Sequence, residues 1–374
     1  MQQDTTHTSD ITTEKVNLLN FSREQMRDYF TSIGEKPFRA DQIFQWIYQR
    51  DVYDFEEMTN ISKKLRQKLA GIAEIKLLDI ATHQRSKDGT QKILFRLADG
   101  NQIESVLIPT EKRNTLCISS QVGCALACRF CYTATMGPGR NLSIAEYMGQ
   151  FLTSQQQLPK GQRITNVVFM GMGEPLVNFE NLMNTLSIMT DHNGPGLGGR
   201  RLTVSTAGLC PQILELGKRS SARLAISLHA TTDEQRDELM PINKRYNLAT
   251  LLDTLKTFQD QQQTQRAAVT LEYTLIKDVN DSDEDAQRLS KMAKSLGAKV
   301  NIIPYNEHPG APYERPSNNR VYRFHDLLHD RDVRVTKRTT RGDDISAACG
   351  QLAIQGGQKS KKRTDVPHHR RRTA

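Results

Sequence analysis

The stretch Cys124-Ala125-Leu126-Ala127-Cys128-Arg129-Phe130-Cys131 gathers three of the chain's six cysteines into eight residues. That density marks a ligand set. A structural zinc takes four ligands, typically as two CxxC-like pairs, whereas here the spacing is CxxxCxxC and no second pair follows. A four-iron, four-sulfur cluster on three thiolates keeps one iron open, while the electron carriers that hold their cluster with four cysteines have no open iron. The spacing therefore favours a catalytic cluster. Zinc with a fourth ligand borrowed from elsewhere stays open as the alternative.

Outward from this loop, short apolar runs alternate with amphipathic segments. From about residue 100 the candidate strands are TLCIS (115–119), ITNVVFM (164–170), RLTVST (201–206), RLAISLH (223–229), AAVTLEYTLI (267–276), AKVNIIPY (298–305) and VRVTK (333–337). Helical patterns lie between them, at SIAEYMGQFLTSQQQ (143–157), LATLLDTLKTFQDQQ (248–262) and DEDAQRLSKMAKSLG (283–297). Repeated β-then-α units imply a parallel sheet with right-handed crossovers, either a barrel or an open doubly wound sheet. Chemistry in such folds gathers at the C-terminal ends of the strands. There the sequence places Cys117, Gly171-Met172-Gly173-Glu174-Pro175, Ser205-Thr206, Ser227-Leu228-His229 and Asn306, each closing an apolar run.

The first hundred residues read differently. Ser22 and Gln25 form a potential capping box ahead of a short helix that Gly34 stops. Ile43, Phe44, Ile47 and Tyr48 make a helical stripe, and SKKLRQKLAG (62–71) gives a third helix. TQKILFRLA (90–98), flanked by Asp88-Gly89 and Asp99-Gly100, reads as a strand within a small hairpin. The expected organisation is a disordered N-terminus (1–15), a helical accessory domain with basic faces (16–99), a catalytic core (100–355) and a basic disordered tail (356–374).

Composition sets the class. The chain has 374 residues, 37% of them hydrophobic, enough for one large α/β domain and an accessory piece. No apolar run approaches the ~20 residues of a membrane span, and the polar N-terminus lacks a signal-peptide core. A cytoplasmic protein is expected, and in that reducing compartment clustered cysteines mean metal or redox chemistry. Residues 359–374 hold seven Lys/Arg and one Asp, hence six of the nine net positive charges. Such a tail gathers polyanions through counterion release, a pointer to nucleic acid.

Two resemblances sharpen the reading. CxxxCxxC with Phe130 before its last cysteine, followed by FMGMGEP (Phe169 to Pro175), resembles the radical S-adenosylmethionine (SAM) superfamily. TLCISSQVGCALACRFC, GMGEPL, STAGL, LAISLHA, MPINKRY, IPYNEHPGAPY and RGDDISAACGQLA together, in order over roughly residues 100 to 355, resemble the RlmN/Cfr family of RNA methyltransferases. The last motif is the specific one, since generic radical SAM enzymes lack it.

The resemblance implies an α/β partial (β/α) barrel core, and an N-terminal helical domain that contacts RNA. It implies a 4Fe-4S cluster on Cys124, Cys128 and Cys131, with SAM surrounded by Gly173, Glu174, Ser205, Ser227, Leu228, His229 and Asn306. Cys349 would take a methyl from one SAM, and a second SAM would generate a methylene radical that adds to carbon 2 of an adenine. Glu104 would remove the carbon-2 proton, and Cys117 would release the product by forming a disulfide with Cys349. The family's targets are adenosine 2503 of 23S rRNA and, in dual-specificity members, adenosine 37 of tRNA. An external, flavodoxin-like electron donor, no membrane association and a monomeric state are expected with it. The chemistry is coherent: carbon 2 of adenine is electrophilic, so direct transfer of a methyl cation would fail. The family's other branch methylates carbon 8 of the same adenine, and the catalytic motifs do not separate the two. A zinc-bound RNA-binding protein without catalysis is the reading from a different class. Pro138 stands after Gly137 where the family commonly has an aromatic, which bears on loop shape, and Cys210 reads as a passive strand-end cysteine.

Overall fold

The computed structural model describes residues 15–262, 269–339 and 341–352. The readings made for residues 1–15 (Lys15 excepted) and for the basic tail 356–374 lie outside these residues.

Three helices open the chain: α1 (Arg23–Ser32), α2 (Pro37–Arg50) and α3 (Lys63–Ile72). Both halves of the Ser22/Gln25 capping box are present, so two backbone donors that the first turn leaves unpaired are satisfied. Pro37 starts α2, where its missing N–H costs nothing. The stripe Ile43, Phe44, Ile47, Tyr48 is buried as its spacing demands. A two-residue parallel pairing of β1 (Val16–Asn17) with β2 (Ala73–Glu74) ties the two ends of this module together.

Among the described residues the rest is built on one ten-stranded sheet. Its first four strands form an antiparallel meander: β3 (Asp79–Arg85), β4 (Gln91–Arg96), β5 (Gln102–Thr110) and β6 (Arg113–Cys117). From β6 onward every neighbour is parallel, through β7 (Asn166–Phe169), β8 (Leu202–Thr206), β9 (Arg223–Ser227), β10 (Thr270–Leu275), β11 (Lys299–Pro304) and β12 (Arg334–Lys337). The strands lie in strict sequence order and the sheet is open, with β3 and β12 at its edges. Residues 79–96, grouped with the helical module from sequence, are hydrogen-bonded into this sheet instead.

Crossover helices α4 (Ile144–Gln155), α5 (Phe179–Thr190), α6 (Cys210–Arg219), α7 (Asp233–Leu239), α8 (Leu248–Gln261), α9 (Asp283–Ser295) and α10 (Asn318–His329) link the parallel strands. Leu116, Val167, Phe169, Val204, Ile226, Leu271, Tyr273, Val300 and Ile302 are fully buried along the sheet, at about 1.5–3 kcal/mol each for the aliphatic and Phe side chains. Arg23 of α1 bonds Asp191 just past α5 at 2.7 Å, and Asn20 accepts from the Ala145 amide at 2.9 Å, so the helical module is docked on the core.

Candidate active site

β6 ends at Cys117, and the chain then leaves the sheet for an irregular loop that carries the three clustered cysteines. Two glycines explain how this loop sits so close to the β7 end. A Cβ on Gly171 would meet the Ile118 carbonyl and Ser119 Oγ at 2.7 Å, and one on Gly173, which has φ +91°, would meet Gln121 Cβ at 2.5 Å. GMGEP is therefore glycine-rich because backbone packs on backbone there. The Glu174 amide donates to Gln121 at 2.8 Å, locking the two segments.

One cavity at the C-terminal strand ends is lined by Cys124, Cys128 and Cys131 together with Gly173, Glu174, Ser205, Ser227, His229 and Cys349. Nine of the thirteen residues expected at the site thus meet in one place. The other four stand around it. Leu228 is buried behind the wall, and Cys117 is buried at the end of β6. Asn306 lines a smaller neighbouring cavity that shares Cys349, and its amide donates to the Cys349 carbonyl at 3.1 Å. Glu104 lies buried on β5 with Lys92 Nζ at 3.4 Å; the same ammonium donates to the Ser346 carbonyl, three residues before Cys349.

The Cys349 segment is fastened to the cysteine loop. The Tyr132 amide donates to the Gly350 carbonyl at 2.8 Å, and Thr133 Oγ1 donates to the Leu352 carbonyl at 2.6 Å. Asp344 accepts from Ser86 at 2.5 Å, so the preceding RGDDI motif is moored to the β3–β4 hairpin.

Burial dominates the electrostatics. It pushes the Cys124 thiol up to about 11, Cys117 up to about 12, and Cys128 and Cys131 upward as well. Free, these groups are neutral thiols, and loading a cluster must expel their protons. Among the described residues no group of three or more His, Cys, Asp or Glu side chains could hold a single metal ion. A four-iron cluster asks for something else, one thiolate per iron, and three thiols on one cavity wall fit that requirement. Desolvation lifts Glu174 to about 7 even though it accepts from the Ala207 and Leu176 amides at 2.8 and 3.0 Å. A carboxylate held this way suits the ammonium of an amino-acid-bearing cofactor such as SAM.

His229 is held neutral. Its Nδ1 accepts from the Thr274 amide at 2.9 Å, leaving the proton on Nε2, and its ring meets Phe130 edge-on at 4.7 Å. Burial, with the Arg236 charge, lowers its pKa to about 3. The unfolded imidazole, near 6.5, takes a proton that the folded one refuses. This contribution to stability is complete above pH 6.5 and is lost progressively as pH falls toward 3, at about 1.4 kcal/mol per unit. Denaturant unfolding at pH 7.5 and pH 5 should show that loss, and His229→Gln should shrink the difference.

The motifs did not point to Glu272 or Arg338, which also line the cavity. Glu272 accepts from Asn301 at 2.8 Å and is raised by burial. Arg338 is raised chiefly by Cys349, then by Glu272 and Cys117, so one guanidinium serves both lone cysteines. Its signal in the sequence was only one more cation directly after β12, whose own Arg334 and Lys337 are cationic. Cys210, expected at a strand end, instead opens α6, where its thiol donates to the Gly208 carbonyl at 3.6 Å away from the cavity.

The sequence pattern of the radical SAM superfamily matches residues 118–289. Fold and cysteine loop together make this a radical SAM enzyme. The pattern described as the ribosomal RNA large subunit methyltransferase N-terminal domain matches residues 16–75. A dual-specificity RNA methyltransferase RlmN from Geotalea uraniireducens (strain Rf4) is 49% identical over 339 residues, 91% of this chain and 97% of that protein. The chain belongs to the RlmN family of radical SAM methyltransferases. The crystal structure of a radical SAM methyltransferase from Sphaerobacter thermophilus matches with a TM-score of 0.85 and 40% identity, covering 90% of this chain and 99% of that one. Membership implies a 4Fe-4S cluster and SAM, and it sets aside the zinc-bound, non-catalytic reading. Among the described residues no helix is long and apolar enough to cross a membrane.

Proposed function

We propose that this chain methylates carbon 2 of adenine 2503 in 23S rRNA and of adenine 37 in tRNA, with Cys349 carrying the methyl group and Cys117 releasing the product. The observation that carries this reading is the meeting of Cys349 with Cys124, Cys128 and Cys131 in one cavity, with Cys117 close enough for Cys349 to raise its pKa.

Cys124, Cys128 and Cys131 would hold the cluster. Gly173, Glu174, Ser205, Ser227, Leu228, His229 and Asn306 would surround SAM, Glu174 accepting from its ammonium and neutral His229 offering Nε2–H. The two cofactors, when bound, supply the methyl group and the radical that activates it. Cys349 keeps that methyl on sulfur at the cavity wall, and Asn306 fixes its backbone. The adenine enters unstacked, which single-stranded loops permit most readily.

Once carbon 2 is bonded to the methylene, Glu104 takes its proton. The adduct must also give up its unpaired electron, which the cluster, when bound, would accept. Cys117, as the thiolate, then gives its electron pair to the Cys349 sulfur: the sulfur–sulfur bond forms, the sulfur–carbon bond breaks, the released methylene carbon takes up a proton to become the methyl group, and methylated RNA leaves a Cys117–Cys349 disulfide behind. Arg338 lowers the Cys117 pKa against the effect of burial, which favours the attacking thiolate. An external thiol must reduce the disulfide, and an external flavodoxin-like donor must supply the cluster's electron.

Incubation with separate rRNA and tRNA fragments, followed by mass spectrometry of the nucleosides, tests the reading. 2-Methyladenosine is expected from both RNAs; 8-methyladenosine would move the chain to the other branch of the family. Glu104→Gln keeps shape and removes basicity. It should allow Cys349 methylation and SAM cleavage while turnover falls by roughly 10²–10⁴. Normal turnover would remove Glu104 from the reaction.

A further inference from the structure

Among the described residues Arg236, on α7, is the largest fully buried side chain, at 0% exposure. Its hydrogen bonds all go to neutral acceptors: Nε to the Leu228 carbonyl at 3.2 Å, Nη1 to Asn243 Oδ1 at 3.0 Å, and Nη2 to the carbonyls of Ala207 at 2.6 Å and Ser227 at 3.3 Å. Among the described residues it makes no ion pair. The nearby carboxylates Asp233 and Asp237 bond the Asn243 amide instead, at 2.9 and 2.8 Å, and so meet the guanidinium through a neutral relay. A buried, unpaired cation costs several kcal/mol. Burial pulls Arg236 down to about 10, which still leaves it charged at neutral pH.

Two features say what that charge faces. Ala207 and Ser227 line the cofactor cavity, so the guanidinium lies directly beneath its floor. Ala207 is gripped from both ends, since its amide donates to Glu174 and its carbonyl accepts from Arg236. Among the titratable groups whose charge would act on Arg236, Cys128 comes first; its thiol is neutral when free and becomes a thiolate only on taking up a cluster. A four-iron cluster on three thiolates is net negative, and it gains a further negative charge on reduction. Its potential follows net charge, hydrogen bonding and exposure.

We propose that Arg236 is a positioning residue for the cofactor site, holding the Ala207 and Ser227 carbonyls under the cavity and supplying the fixed positive charge that favours the reduced, more negative cluster. The proposal rests on Cys124, Cys128 and Cys131 being the cluster's ligands.

The test uses the full chain, reconstituted anaerobically, with the cluster's midpoint potential read by redox titration under EPR. Arg236→Gln should load iron as the wild type does, yet at a fixed potential its reduced-to-oxidised ratio should fall roughly tenfold, ~59 mV for one electron. Arg236→Lys keeps the charge but loses the fork. It should lower the apoprotein's melting temperature while its potential stays near that of the wild type. An Arg236→Gln protein with full iron and an unchanged potential overturns the proposal. Should Gln fail to fold, Lys decides: a tenfold negative displacement in Lys overturns it, and a retained potential supports it. A wild-type chain that takes up no iron overturns the ligand reading itself, separately from the role of Arg236.

Discussion

Cys117→Ala should convert this enzyme into a protein covalently joined to its RNA. In the proposed scheme Cys349 acts first and Cys117 last, so removing the second thiol would let the reaction begin and leave it unresolved. The bond between Cys349 and the methylated base is then a thioether, which no thiol inside the protein can open. The structure leaves no substitute: Cys210 sits at the start of α6, bonded to Gly208, and the three remaining cysteines line the cavity, where the proposed cluster would occupy them. A nuclease-sensitive, gel-shifted species should appear with Cys117→Ala and be absent from Cys349→Ala and from the double variant. Cys349→Ala should show no methylcysteine and no adduct. Removing a sulfur from a buried site costs about 1 kcal/mol of stability, too little to imitate either result. Full methylation by Cys349→Ala would end the two-cysteine scheme.

Much of this site was legible because its chemistry sits where parallel strands end. Each of the seven apolar runs read as a strand forms one, and Cys117, Ser205 and Ser227 fall in the terminal residues of β6, β8 and β9. Buried parallel strands read as near-continuous apolar runs, which made them visible. The β3–β4 hairpin was assigned to the wrong neighbour for the opposite reason. β3 is exposed along almost its whole length, so its sequence carries no alternation to reveal a partner sheet. Arg236 was hidden for a third reason. In DEQRDEL it is one charge among several on a short helix, and only the fold turns it inward onto three carbonyls and an amide oxygen. The glycines of GMGEP, of which the resemblance sets Gly173 beside SAM, serve in the structure first as room for the Ile118–Gln121 backbone. Local spacing gives residue types; which of two close approaches a glycine serves is decided by strands fifty residues apart.

The cluster cysteines carry the other large effect. Cys128→Ala should abolish both cluster loading and reductive SAM cleavage, since in the proposed ligand set three thiolates on three irons leave none to spare. The fold should survive. The bonds that shape this part of the loop are main-chain ones, the Cys131 amide to the Cys128 carbonyl at 3.2 Å and the Arg129 amide to the Leu239 carbonyl at 3.0 Å, and alanine keeps both. The site is also poised against charge when empty, because burial holds the Cys128 thiol protonated. Replacing that thiol removes packing worth about 1 kcal/mol and no ion pair. Iron and sulfide content should therefore drop to background and SAM cleavage by at least ~10³, the scale on which losing a catalytic group is felt, while the melting temperature of the apoprotein moves by only a few degrees. Proton release on loading gives an independent check. Thiols with raised pKa values must each give up a proton to bind iron, so reconstitution of the wild type should acidify a weakly buffered solution and become tighter as pH rises. A Cys128→Ala protein that binds a full cluster and still methylates RNA would show that the ligand set lies elsewhere.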